Sequence, residues 1–284
     1  MLTMPPKEQP AASQPVSTKP QAPGLTMTNA EYHAHDSISA TAMTFMDESY
    51  AHFKHRKRFD YETATMDLGS AFHTLTLEPH NFELEFLPQP VGAKRNTTIG
   101  KQIWEDHEEK LAGRISIAAA DVDKADRMAA NTTVILNELL GVENFHDHGW
   151  AERTFIVTDP ATGLQLRCRP DFLTFKGILL DLKSAAKFTD RDLKNSVTDR
   201  KYARATAFYK KVLGLAGVPI KRSALVFCES TQGHMVKVRT IPEHILEEEE
   251  RKLNEQLMGY SKYLKGEAKA QIAKNIEPWP EREE

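Results

Sequence analysis

The sequence predicts a mixed α/β chain, and three observations predict it. Amphipathic helical stretches fill 64–77 and 121–140, short β segments follow one another from Trp150 to Lys183, and a helix–hairpin–helix order runs from Thr198 to Lys265. Apolar residues three and four apart mark the helices, and alternation with turn residues marks the strands. With 284 residues, 40% apolar and 27% charged, the chain is long enough for one domain with a sizeable core, carrying insertions.

Residues 1–27 are rich in Pro, Ala, Ser and Gln, with prolines at 5, 6, 10, 15, 20 and 23. Such a composition buries too little apolar surface to offset its ordering entropy, so a disordered tail is expected there. The folded domain is expected over 28–270, with a loose tail at 271–284. Ser39 can cap a helix carrying Met43, Phe45, Met46 and Tyr50. The cluster Lys54-His55-Arg56-Lys57-Arg58 after it reads equally as a solvated helix end or a phosphate contact.

The helix from Ala64 to Leu77 carries Leu68, Phe72 and Leu75 and ends at Glu78-Pro79, because proline disfavours helix in the residue before it. Gly69, Ser70 and Ala71 let another backbone come close, and His73 lies beside the apolar stripe, where a core histidine is the ordinary reading. From Phe82 to Arg114 the pattern is irregular, with a helix around Ile99–Leu111; Asp121–Leu140 is a stronger one. Trp150–Thr158, Gly163–Phe175 and Ile178–Lys183 read as three successive strands, turned at Asp159–Gly163 and at Lys176-Gly177, with Glu152 in the first. Thr198–Leu215 is a helix, Ser223–Glu229 and His234–Thr240 a hairpin, and Pro242 starts a last helix to about Lys265, whose Glu247–Glu250 block is a solvated face.

A net charge of −3 gives no global bias towards nucleic acid, although a local basic face acts through its own nearby field. No apolar run of membrane-spanning length occurs and the N-terminus lacks the layout of a secretory signal, so a cytoplasmic protein without membrane contact is expected. The two cysteines, Cys168 and Cys228, lie in apolar strands and read as buried hydrophobes; they cannot supply the four ligands of an iron–sulfur cluster.

Chemistry concentrates in RPDFLTFKGILLDLKS, residues 169–184. Successive strand side chains alternate faces, so Asp181 and Lys183 point the same way while Leu180 and Leu182 point into the core, and a hairpin turn brings Asp171 within reach. Paired carboxylates suit a hard divalent cation, which polarises a phosphorus–oxygen bond and lowers the pKa of water; an adjacent ammonium offsets charge growing on the transition state. The pattern of Asp171, Asp181 and Lys183 is weak alone and is strengthened by its setting, with the candidate acid Glu152 before it and a basic, Tyr-bearing helix after it.

The run GSAFHTLTLEP, the Glu152 strand, CRPD, LLDLKS and the helix with Tyr202 and Phe208-Tyr209, in this order, resemble the RecE (exonuclease VIII) type of PD-(D/E)xK nuclease, related to the RecB nuclease domain and lambda exonuclease. The resemblance covers roughly 28–265 and implies a restriction-endonuclease-like core, a mixed central β-sheet flanked by helices. It implies Mg2+-dependent digestion of double-stranded DNA ends, 5′ to 3′, with Mn2+ able to substitute. It also implies a ring-shaped homo-oligomer, a single-strand annealing protein as partner, and a bacterial or phage source.

Carried over by position, His73, Asp171, Asp181 and the Leu182 carbonyl become metal ligands, Lys183 the catalytic lysine, and Glu152 a further acid. The family's Gln-x-x-x-Tyr has its tyrosine at Tyr209 and Ala205 in place of glutamine, so altered substrate positioning is expected. From Lys183 to Lys211 inclusive there are nine basic residues against Asp190, Asp192 and Asp199. Lys187, Arg191, Lys201, Arg204 and Tyr209 are therefore expected along the DNA backbone, positioning it without reading sequence. A structure-selective endonuclease or single-strand nuclease on the same core, and a non-catalytic DNA-binding subunit, are the competing readings.

Overall fold

The computed structural model describes residues 20–55 and 64–268. The expectations for 1–19, for Arg56, Lys57 and Arg58, and for 271–284 lie outside the described residues. Helix α1 (Asn29–Ala34) opens with a Thr28–Glu31 capping box. The helix expected from Ser39 to Tyr50 is two short ones. Ser39 caps α2 (Ala40–Met43), a 3-10 turn spans Thr44–Asp47, and Ser49, in extended conformation, accepts from His52 N and starts α3 (Tyr50–Lys54). A second serine cap thus interrupts a pattern that periodicity alone reads as continuous.

Helix α4 (Ala64–Leu77) has the expected bounds. The irregular stretch after it holds α5 (Phe82–Glu85) and the parallel pair β1 (Phe86–Pro88) and β2 (Ile115–Ile117), joined through α6 (Thr98–Leu111). Helix α7 (Ala119–Leu140) ends at Gly141, whose left-handed φ of 65° closes the helix.

Each of the first two strands expected between Trp150 and Phe175 is split. The first becomes β3 (Gly149–Ala151) and β4 (Phe155–Thr158), the second β5 (Gln165–Cys168) and β6 (Phe172–Thr174). Glu152 breaks the first with a left-handed φ of 49°, and Pro170, with no N–H for a ladder, lies in the second break. β4 and β5 pair as a separate two-stranded sheet, while β3 and β6 join the main one. Glu152 is therefore in a bend and not on a strand, a position alternation could not reveal. Its N–H donates to the Asp171 carbonyl at 3.1 Å, so the two bends lie side by side.

The main sheet adds β7 (Ile178–Ala185), β8 (Arg222–Glu229) and β9 (Val236–Arg239), in the order β3-β6-β7-β8-β9. Only β7 and β8 pair in parallel within it, and their crossover is α8 (Asp190–Asp199) and α9 (Tyr202–Leu215). The continuous helix expected from Thr198 is broken at Lys201, whose φ is 55°. A final helix, α10 (Glu243–Leu264), starts at Pro242 as expected.

Helices pack on both faces of this sheet. Phe72, Met128, Leu136, Leu180, Leu182 and Val226 form one apolar layer, with α4 and α7; Phe208, Val212, Leu225, Phe227, Leu253 and Leu257 form the other, with α9 and α10. Neighbours on one strand, such as Leu225 and Val226, fall in different layers because strand side chains alternate. The expected mixed sheet flanked by helices is what the chain adopts. No helix among the described residues is long and apolar enough to cross a membrane.

Candidate metal centre

The two bends and α4 converge. One ligand atom each from His73, Glu152 and Asp171 lies within 4.8 Å of the others, and His73 Nδ1 is 3.6 Å from Asp171 Oδ2. Asp171 is also fixed from the neighbouring strand, where Leu182 N–H donates to its Oδ2 at 2.6 Å. Beside it, Lys183 Nζ lies 2.7 Å from Asp181 Oδ2 and donates to the Leu182 carbonyl at 3.1 Å. The shared face read for Asp181 and Lys183 is therefore realised as an ion pair. Lys183 also lies 5.2 Å from the centre of the Tyr202 ring. Tyr202 and Tyr209 are two helical turns apart on α9; the sequence motif carries both, and only Tyr209 is expected along the DNA.

The electrostatics are those of a buried acidic cluster with one ammonium, Lys183, beside it. Burial, then repulsion from Asp171, pushes Glu152 well above the usual carboxylate range. Burial likewise raises Asp171 against the pull of Lys183, and raises Asp181 to about 6. Burial, then Lys183, lowers His73 to about 4, so the imidazole is neutral near pH 7 and has a lone pair to give. Burial opposes the charge on Lys183, but Asp181 and Asp171 outweigh it and its pKa is raised. Tyr209 sits in the same field: burial, then Tyr32, Asp181 and Asp171, drive its phenol well above its ordinary value.

A divalent cation fits this donor set. Ligands at about 2.1–2.5 Å from a cation stand up to about 4–5 Å apart across it, which matches the 4.8 Å spread of the three groups. Two acids destabilised by burial and mutual repulsion gain from a cation, and a neutral imidazole supplies a third donor. The geometric cluster contains the expected His73 and Asp171 together with Glu152, while Asp181 and the Leu182 carbonyl engage Lys183.

The residues expected along DNA divide into two groups. Lys187 and Arg191 are exposed, in the turn after β7 and the first turn of α8. Arg204 and Lys201 instead meet acids. Arg204 donates to both Asp47 oxygens and to Glu249, Lys201 pairs with Asp47, and Gln256 completes the Asp47 cluster. These pairs offset their charge locally and tie α9 to α10 and to the 3-10 turn. Ala205 packs half-buried against the apolar layer.

Residues 39–279 match the model of a PDDEXK-like domain of unknown function, DUF3799. Among solved structures, a candidate exonuclease from Eubacterium rectale aligns with 14% identity and a TM-score of 0.55, covering 88% of this chain and 91% of its own, which shows a shared fold. The structure of SSO0001 aligns with 13% identity over 67% of this chain and 85% of its own, at a TM-score of 0.28 that carries no weight. A search of curated proteins finds no match. The bend-borne acids, the Asp181–Lys183 strand and the helix histidine lie within the matched stretch, and the chain belongs to the PDDEXK-like family DUF3799.

Proposed function

We propose that the protein is a Mg2+-dependent exodeoxyribonuclease that hydrolyses phosphodiester bonds from double-stranded DNA ends, 5′ to 3′, with Mn2+ able to substitute. The observation that carries this reading is the convergence of His73, Glu152 and Asp171 next to an Asp181–Lys183 ion pair. A bound cation supplies Lewis-acid activation of a phosphodiester and lowers the pKa of water. The chain's own residues do the rest. His73, Glu152 and Asp171 would hold the cation, and Asp181 and the Leu182 carbonyl, now paired with Lys183, would be the further ligands that the resemblance assigns. Lys183, kept charged by its two aspartates, faces the charge that develops on the scissile phosphate. Lys187 and Arg191 position the strand by its backbone, independently of sequence.

The RecE-type reading extends to a ring-shaped homo-oligomer around duplex DNA and to a single-strand annealing protein that receives the 3′ strands. The support for it is the ordered set of motifs around His73, Glu152, Asp171 and Lys183. A structure-selective endonuclease or single-strand nuclease is the second reading, favoured by one observation: Ala205 has no side-chain polar group to hold a nucleotide where the family has glutamine. Linear duplex labelled separately at its 5′ and 3′ ends, covalently closed circles and single strands, each with Mg2+ or chelator, separate these. Early loss of the 5′ label from linear duplex alone, abolished by chelator, is the expected outcome. Cutting of closed circles excludes the exonuclease reading, and cation-independent binding without hydrolysis leaves a DNA-binding subunit.

A further inference from the structure

The stretch before the family match wraps around the small β4–β5 sheet. Leu25 pairs antiparallel with Thr154, the residue just before β4, with backbone hydrogen bonds of 2.7 and 3.0 Å. Ile38 pairs in parallel with Leu166 on the free edge of β5, at 2.8 and 2.7 Å. Between these anchors α1 lays Tyr32 over two guanidinium groups, 4.3 Å from Arg169 and 4.9 Å from Arg167. These arginines are two apart and share a face of the strand and its continuation.

Three arginines of the β4–β5 unit grip the backbone of this stretch. Arg153 donates to the Pro23 and Gly24 carbonyls, and Arg167 to those of His35 and Ser37. Arg169 donates to the Met27 and Thr28 carbonyls, to Asn29 Oδ1 and to Thr154 Oγ1. Thr154 stands two residues after Glu152, and Arg169 two residues before Asp171. The last backbone pair of the ladder is Phe155 with Cys168, so the Arg169–Thr154 bridge continues it by side chains up to the two acid-bearing bends. Gly24 admits the stretch to this edge: its φ is 73°, and a Cβ there would stand 2.6 Å from the Thr154 carbonyl oxygen.

We propose that residues 24–38 are a strap that forms the outer shell of the cation site, with Tyr32 and Arg169 as positioning residues that hold the Glu152 and Asp171 bends in register. The strap lies before residue 39, where the family match begins. The inference rests on the reading of His73, Glu152 and Asp171 as a cation site. Removing outer partners of metal ligands typically weakens affinity about 10–100-fold, because the ligands lose their shared orientation.

The test is calorimetric Mn2+ binding to the full chain, with the melting temperature measured beside it. Tyr32→Leu removes the ring with little loss of volume, Tyr32→Phe keeps it, and Gly24→Ala lifts the strap's entry without touching either positioning residue. Arg169→Lys keeps the charge and loses the planar fork. About 10-fold weaker Mn2+ binding is expected for Tyr32→Leu, Gly24→Ala and Arg169→Lys, with Tyr32→Phe within about twofold of the native chain. Native-like Mn2+ affinity in the three weakening variants, even with lowered melting temperatures, overturns the strap as a positioning element. Absence of Mn2+ binding by the native chain removes the cation-site reading and the proposal with it.

Discussion

The guanidinium of Arg204 holds both carboxylate oxygens of Asp47, at 2.7 and 2.8 Å, and joins α9 to the turn that follows α2. Glu249 takes its Nε at 3.2 Å, and Lys201, in the left-handed break before α9, reaches the same aspartate. A charge spent on this network adds little to the field felt by a phosphate backbone. Arg204→Met is therefore expected to lower stability by about 1.5–3 kcal/mol, the range for losing hydrogen bonds to charged groups, while leaving the salt dependence of DNA binding unchanged. The double variant Lys187→Ala, Arg191→Ala should do the reverse, with the slope of log affinity against log salt reduced by about 1–2 and stability preserved. Urea unfolding and DNA titrations at four salt concentrations check both.

Asp47 also sets an acid limit. Burial works to raise its pKa, but hydrogen bonds from Lys201, Arg204 and Gln256 prevail, and it is lowered overall. A carboxylate with a depressed folded pKa adds stability above its unfolded value near 4, and loses it as pH falls through the folded value. Asp47→Asn is expected to destabilise the protein at pH 7 and to differ less from the native chain at pH 3. Melting curves of both proteins across that range test this.

Lys183→Met should cut hydrolysis by about 100–1000-fold, the usual cost of removing one donor aimed at developing charge. Mn2+ binding should persist, because the ammonium is not a ligand. Loss of both together would show that Lys183 acts by holding Asp181 in place. Calorimetry beside a gel-based digestion separates the outcomes.

Cation and proton compete for the same acids. Asp181, at about 6, and the raised Asp171 and Glu152 bind protons more tightly in the folded protein than unfolded. Without a cation, their ionisation costs stability above pH 6, and that cost fades as pH falls towards the unfolded value near 4. Saturating Mn2+ at about 100 times its dissociation constant should add about 2.7 kcal/mol at pH 8, and the increment should shrink as pH falls through 6. Glu152→Gln removes one buried acid and should lower the increment at pH 8 without lowering stability in chelator. Melting temperature with and without Mn2+, from pH 5 to 8, is the measurement; an increment constant with pH contradicts this account.

Much of this protein is legible in the residues alone. The bounds of α4, the β7 strand with Asp181 and Lys183 on one face, the antiparallel β8–β9 pair and the last helix follow from periodicity, proline and strand alternation, which act over a few neighbours. The tertiary structure decided what depends on distant partners. It broke two strands at Glu152 and Pro170, putting an acid read as strand-borne in a bend, and brought the remote His73 up to it and to Asp171. It gave Arg204 and Lys201 to Asp47, which no spacing along the chain relates to them. It also bound residues 24–38, whose first four fall in the stretch expected as a tail, against the β4–β5 sheet. Local sequence fixes which faces a segment presents; which opposite charge or free strand edge meets that face is set only when remote segments pack together.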